Sequence, residues 1–581
     1  MVTGVPSAAL NKRAAISGVA VVVLACSILA PGTYGTDNYA LTGAWELSPN
    51  ESDVLPVHAM VIPGDQSDQV LAVAGSGNDP TFSRGVNQAR LWNPFTQQYT
   101  AAFEGANIPA GTPPTLHDND AFCSAHVALP DGHLLIAGGN LEYPNYHGGG
   151  THPVHTTPPN YDSPDPRPAC HDFLGLRDSF IYHPDNQNFT RGPKMQHGRW
   201  YPSLLSLGDG RVLTISGLDD IGQGGVIPDA NLPAAFQGQD CRYPVLNRSI
   251  EIFNPTTMAW GAAFTPSGPA QLNPDNLGLY PYLHLLPSGD VFLAGPSNQT
   301  QVFDPETAAL LSTKFSTRGG WRDYGHSTLL ALRPSEGYRA RVLNAGGAGD
   351  GVVESRAEMI DFSAADPQWT PVAPMSRARY QGASVLLPDG KVFVAGGGSG
   401  GDTINNSHLA AEIYDPATNT WSYAGSAQIP RMYHSVALVL PDGRVYVAGS
   451  NPHDSMDLNE RAVETRVEIY SPPYLFKGSR PEIPNHPDRI RYATAFNIQL
   501  GSVNQVTNAR QVVLLRPGST THTRNFDQRL VELTFTTNPD FPRRLIVTGP
   551  PNGNIAPPGY YLLYVLNQKG VPSEGHMIRL R

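Results

Sequence analysis

One hairpin recurs seven times along the chain, and that recurrence limits the fold more than any other feature. Each copy is an apolar run of strand length, a tight turn rich in Pro, Asp or Gly, and a second apolar run that ends at Gly or Gly-Gly. The copies open with VHAMVIP (57–63), CSAHVALPDG (123–132), YPSLLSLGDG (201–210), YLHLLPSG (282–289), YGHSTLL (324–330), YQGASVLLPDG (380–390) and YHSVALVLPDG (433–443). Between them lies a second theme, an aromatic strand running into a turn: LWNP (91–94), IYHP (181–184), IFNP (252–255), VFDP (302–305) and IYDP (413–416). Each unit therefore supplies about four short strands joined by turns. A single such sheet cannot bury both of its faces. Seven packed radially can, and closing the ring protects the strand edges. The 58 glycines and 54 prolines among 581 residues suit so turn-rich a chain.

The pattern predicts an all-β protein: a seven-bladed, kelch-like β-propeller over residues 40–475. After VEIYSPPY (467–474) the repeat breaks. Strand-like runs then alternate with turns such as PNGN (551–554), which reads as a C-terminal immunoglobulin-like β-sandwich over 478–581. An insertion rich in Pro, Gly and His, Leu141 to Arg177, interrupts the second unit. At the other end, Lys12 and Arg13 precede an uncharged apolar run from Ala14 to Ala30. Residues 1–31 thus read as a signal peptide or an N-terminal membrane anchor, giving a secreted or extracellular protein, attached to the cell surface if the segment is retained. Export means an oxidising compartment. Removing Cys26 leaves Cys123, Cys170 and Cys241, an odd number, so one thiol is left over or put to special use. The formal net charge of −11 and the lack of a basic patch argue against a nucleic-acid partner.

In a propeller the first strand of each blade lines the central channel, and the starts of those strands converge on one mouth. The chain sets Cys123, Tyr201 and the pair Tyr433–His434 at equivalent repeat positions in three blades. Neighbouring side chains of a regular strand point to opposite faces, so Tyr433 and His434 can share the channel only where the backbone is irregular. Tyrosine also stands near this place at 282, 324 and 380, where packing is reason enough. A buried cysteine by itself behaves as a small apolar side chain. It is the coincidence of these residues that points to chemistry.

The segments AFCSAH (121–126), RWYPS (199–203), RMYHS (431–435), THTRNFDQR (521–529) and PPGYYLLYVLNQKGVPS (557–573) together resemble the galactose oxidase and glyoxal oxidase family of copper radical oxidases, in the same order and over nearly the whole chain after the N-terminal segment. The resemblance implies one copper ion and a thioether bond between Cys123 and the ring of Tyr201. Tyr201 would be a metal ligand and the radical site, Tyr433 the axial phenol ligand, and His434 and His522 the imidazole ligands. His522 would come from the C-terminal domain, on a hairpin reaching up the channel. These residue types fit the metal, since two imidazoles, phenolate and water suit Cu(II). Their binding forms are deprotonated, so affinity should fall in acid. Alcohol oxidation removes two electrons, copper accepts one, and a tyrosyl radical accepts the other. The implied activity is oxidation of small aldehydes or primary alcohols by O2, giving acids or aldehydes and H2O2, by a monomer with no partner beyond substrate and O2.

Departures from galactose oxidase narrow the reading. Its sugar-holding Arg is replaced in Leu279-Tyr280-Pro281, and Gly398 follows Gly396-Gly397 where it has Gln. Without a bidentate donor, hexose recognition has little to stand on, and the chain leans toward the glyoxal oxidase branch. The Trp that stacks over the thioether in galactose oxidase should fall near Leu218-Asp219, and none is there. Pairing of Cys170 with Cys241 stays open. The rival reading is a non-catalytic kelch-like propeller that binds glycan or protein through its loops; the presence of all five site residues weighs against it.

Overall fold

Short apolar runs between frequent turns give antiparallel four-stranded sheets, and seven of these form the blades. The computed structural model describes residues 38–52, 54–63, 69–74, 89–101, 121–142, 174–220, 245–317, 319–451 and 463–581. The N-terminal segment, Cys170, Cys241 and most of the 141–177 insertion lie outside the described residues. Each blade runs from an inner strand outward: His58–Val61 begins blade 1, Ala125–Ala128 blade 2, Ser203–Ser206 blade 3, Tyr282–Leu285 blade 4, His326–Leu329 blade 5, Tyr380–Leu386 blade 6 and Ser435–Val439 blade 7. The last blade takes its outermost strand, Ala44–Glu51, from the front of the chain, with Trp45 opposite Tyr470. That exchange ties both ends of the propeller together and closes the ring. Gly449 shows how tightly blades meet. It has φ +69°, and a Cβ there would stand 2.4 Å from the Pro56 carbonyl oxygen and 2.6 Å from that of His434.

Two devices fix the starts of the inner strands, the first in four blades and the second in six. The first is a buried ion pair: Arg199–Glu251 at 2.9 Å, Arg322–Glu358 at 2.9 Å, Arg379–Glu412 at 3.3 Å and Arg431–Glu468 at 3.3 Å, in blades 3, 5, 6 and 7. Each guanidinium also donates to a carbonyl near the end of the second strand, those of Ser216, Gly346, Gly396 and Gly449. Buried charges so fully engaged lock the preceding loop in place. The second device is a left-handed corner. Cys123 (φ 64°), Tyr201 (65°), Tyr280 (46°), Gln381 (57°) and His434 (63°) each stand nine residues ahead of a turn glycine, Gly132, Gly210, Gly289, Gly390 and Gly443. Tyr324 (φ 49°) holds the corner in blade 5. Such backbone is disfavoured for residues other than Gly and persists where its surroundings enforce it. Here the corners brace one another: the Tyr201 N–H donates to Cys123 O and that of Tyr280 to Tyr201 O, both at 2.9 Å. The corner in blades 4, 6 and 7 is therefore Tyr280, Gln381 and His434, and not Tyr282, Tyr380 and Tyr433. The turn glycine sets the register, whereas the first aromatic of the apolar run does not.

The C-terminal domain is a sandwich of a five-stranded sheet (Arg489–Ile490, His576–Leu580, Gly559–Asn567, Ala509–Arg516, Arg529–Leu533) and a three-stranded one (Ala495–Gln499, Arg544–Thr548, Phe535–Thr537). Ile498, Leu514, Val547 and Leu563 fill the space between them. One hairpin leaves the sandwich. Its strands, Ser519–Thr521 and Arg524–Asn525, extend blade 1 inside the channel, with Thr521 opposite His58. Among the described residues no helix is long and apolar enough to cross a membrane.

Candidate metal centre

The hairpin that enters the channel turns at His522 and Thr523, with φ 49° and 66°. This bend sends the His522 ring into the propeller mouth, where it is fully buried. The four other residues singled out in the sequence gather around it. Cys123 Sγ lies 3.4 Å from His522 Nε2. Ring centroids of Tyr201, Tyr433 and His434 stand 4.8, 5.4 and 4.5 Å from that of His522. Cys123 and Tyr201 occupy successive corners and pack in one core cluster.

Blade 7 achieves the pairing of Tyr433 with His434 by an irregular start. The strand proper begins at Ser435, and both residues precede it in a turn, their rings 3.8 Å apart. A short strap, Ser450-Asn451, holds that turn. Met432 N–H donates to Ser450 Oγ at 2.8 Å, and Asn451 N–H donates to Tyr433 O at 3.1 Å. His434 Nδ1–H donates to Asn451 Oδ1, which leaves Nε2 as the lone-pair nitrogen. His522 Nδ1 lies 2.6 Å from Thr521 Oγ1. Imidazoles engaged through one nitrogen, with the other directed into a shared space, are the arrangement that metal-bound histidines adopt. Burial, then the imidazoles of His434, His58 and His126, push the His522 pKa well below its ordinary value, so it offers a lone pair and no charge.

Among the described residues no three or more His, Cys, Asp and Glu gather as a metal-binding group. The candidate centre takes its remaining donors from phenols instead. Of its five residues only Tyr433 is partly exposed, so the mouth opens on that side. Three neighbours escaped the sequence reading: Asn451, Trp200 and Tyr280. The Trp200 ring lies 3.9 Å from that of Tyr201, and Tyr280 packs at 4.4 Å. Tyr280 OH donates to Ser124 O at 2.8 Å, and burial raises its pKa well above the ordinary phenol range. No tryptophan stands at 218–219, yet an aromatic contact is made, because Leu218 exchanges backbone hydrogen bonds with Trp200 at 2.9 and 2.7 Å.

A propeller mouth that gathers two oriented imidazoles, two phenols and a thiol is the arrangement that the resemblance to copper radical oxidases implies. The glyoxal oxidase N-terminus family matches residues 268–474, and the galactose oxidase-like Early set domain matches 480–580. An aldehyde oxidase of Vitis pseudoreticulata is 30% identical over 489 residues, covering 79% of this chain and 82% of that one. The galactose oxidase of Gibberella zeae is 28% identical over 552 residues, 91% of this chain and 69% of its own. The chain belongs to the glyoxal oxidase and galactose oxidase family of copper radical oxidases, and is a copper-dependent oxidoreductase. Its fold is also that of a solved fungal alcohol oxidase in complex with copper, which is 20% identical with a TM-score of 0.69 over 93% of this chain and 99% of the other.

Proposed function

We propose that the enzyme oxidises small aldehydes, as their hydrates, or primary alcohols with O2, giving acids or aldehydes and H2O2. The observation that carries this reading is the meeting of Cys123, Tyr201, Tyr433 and His434 around the His522 ring at a mouth open beside Tyr433. His434 and His522 would hold copper through Nε2, with Tyr201 and Tyr433 through their phenolic oxygens. When bound, copper supplies an acceptor for one electron and a place for the substrate oxygen. Tyr433 takes the hydroxyl proton as general base. Tyr201, as its phenoxyl radical, takes the hydrogen atom from carbon. O2 then accepts two electrons together with the protons held on the two phenols, and leaves as H2O2.

Cys123 is read as bonded through sulfur to the Tyr201 ring. That bond replaces one S–H and one ring C–H, with two electrons and two protons passing to O2. The thioether donates electron density and eases radical formation, while Trp200 shields the ring. Residues 1–31 are read as the export segment, which places the enzyme outside the cytoplasm. The lack of a guanidinium at Pro281 supports small aldehydes over hexoses. A peroxide-release screen of the copper-loaded protein with methylglyoxal, glyoxal, galactose and simple alcohols tests the activity. Turnover of an aldehyde is expected, and no O2 uptake with any of them would favour a binding protein. Peptide mass spectrometry tests the bond: a joined Cys123–Tyr201 fragment lighter by two hydrogens is expected.

A further inference from the structure

Two more imidazoles lie beside His522 and take no part in the centre described above. His58 opens the inner strand of blade 1, and His126 is the second residue of that of blade 2. They are 1% and 0% exposed, with ring centroids 5.2 Å apart, and the His58 ring lies 6.0 Å from that of His522. Ser519 fixes the proton on His126. Its hydroxyl donates to His126 O at 2.7 Å, so its oxygen can only accept from the ring, and the ring atom touching it is Nδ1. Nδ1 thus carries the hydrogen and Nε2 is a lone pair, buried and without a partner. His58 has no partner on either ring nitrogen. Orphaned buried nitrogens are costly and rare, and two adjoining rings hold three of them here.

We propose that His58 and His126 form a second metal site, selective for Cu(I) and bound through two imidazole nitrogens. It goes beyond the oxidase reading, and only the other equivalent counted in the test below rests on that reading. The donor set decides the metal. Zn2+ asks for four ligands and would bring two positive charges into a space where neither imidazole has a carboxylate or thiolate partner. A monovalent closed-shell ion is satisfied by two nitrogens and costs far less to bury. The Ser519 contact on His126 Nδ1 is the outer-shell hydrogen bond that orients a metal-bound histidine. Its place next to His522 makes the pair a holding station for copper within the channel.

The test is an anaerobic titration of copper-free, full-length protein with Cu(I) against a coloured Cu(I) chelator. Wild type is expected to take up two equivalents and a His58→Leu/His126→Leu variant one. A His434→Gln variant should keep the equivalent held by His58 and His126, which separates this site from the proposed oxidase centre. Ser519→Ala should weaken that equivalent about 10- to 100-fold. Equal uptake by wild type and the double variant overturns the proposal. If the double variant does not fold, X-ray absorption of Cu(I)-loaded His434→Gln protein decides. Two nitrogen neighbours support the site, whereas sulfur or four neighbours refute it.

Discussion

Blade 6 and blade 7 begin their inner strands alike. Each has a buried Arg–Glu pair, Arg379–Glu412 or Arg431–Glu468, and a left-handed corner nine residues ahead of its turn glycine. In blade 6 the corner is Gln381, two residues after the Arg; in blade 7 it is His434, three residues after. The extra residue is Tyr433. Blade 7 also has the Ser450-Asn451 strap, where blade 6 continues with Gly398. A packing repeat is thus turned into a candidate metal centre by one substitution, one added residue and one outer hydrogen bond, with the strained corner already supplied. Function here is grafted on a fold in which blades 2 and 3 lend the corners Cys123 and Tyr201 to the same mouth, while blade 6 keeps the bare scaffold.

Six substitutions and one pH profile would break or sharpen that contrast. His434→Gln gives blade 7 the corner of blade 6, and peroxide release is expected to fall on the order of 10⁴-fold. The reciprocal Gln381→His should leave copper at its wild-type content by atomic absorption. Tyr433→Phe keeps the corner and removes the proton acceptor, so copper content should hold while kcat falls about 10²- to 10⁴-fold. Glu468→Ala and Glu412→Ala each strand a buried guanidinium, and urea unfolding should show a loss of about 3–5 kcal/mol for both. Weakened copper binding is expected for Glu468→Ala alone. Asn451→Ala frees His434 Nδ1 and should lower copper affinity about 10- to 100-fold, read by chelator competition.

Blades 4 and 5 carry the contrast into acid. Burial pushes His284 and His326 down to about 3. Both are neutral in the folded chain above that value, while the unfolded chain takes up their protons from about pH 6.5 downward. Their contribution is therefore complete above pH 6.5 and is lost as the pH falls toward 3, at about 1.4 kcal/mol per unit for each. Denaturation of His326→Leu should show a shallower decline across that window than wild type.

The seven blades and the sandwich were legible because turn glycines and alternating strands repeat in the sequence itself. The five centre residues were legible because each lies in a distinctive short segment. Asn451, Trp200 and the Arg–Glu pairs were not, since their roles depend on which strands lie side by side. Trp200 is the clearest case. Leu218 is one side of a backbone bridge whose other side, Trp200, carries the aromatic ring, and that pairing is not written in the local sequence. Counting back from each turn glycine would have found the corners, and with them Tyr280.

The hairpin bearing His522 has one more consequence. It belongs to a domain made after the propeller, yet it must enter a ring whose closing strand, Ala44–Glu51, is made before the inner strand of every blade. A polypeptide still on the ribosome, or clipped before Ser519, holds the phenols, the thiol and His434 but not the fifth side chain, His522. Unfinished copies would then lack one of the side chains that the proposed oxidase reaction needs.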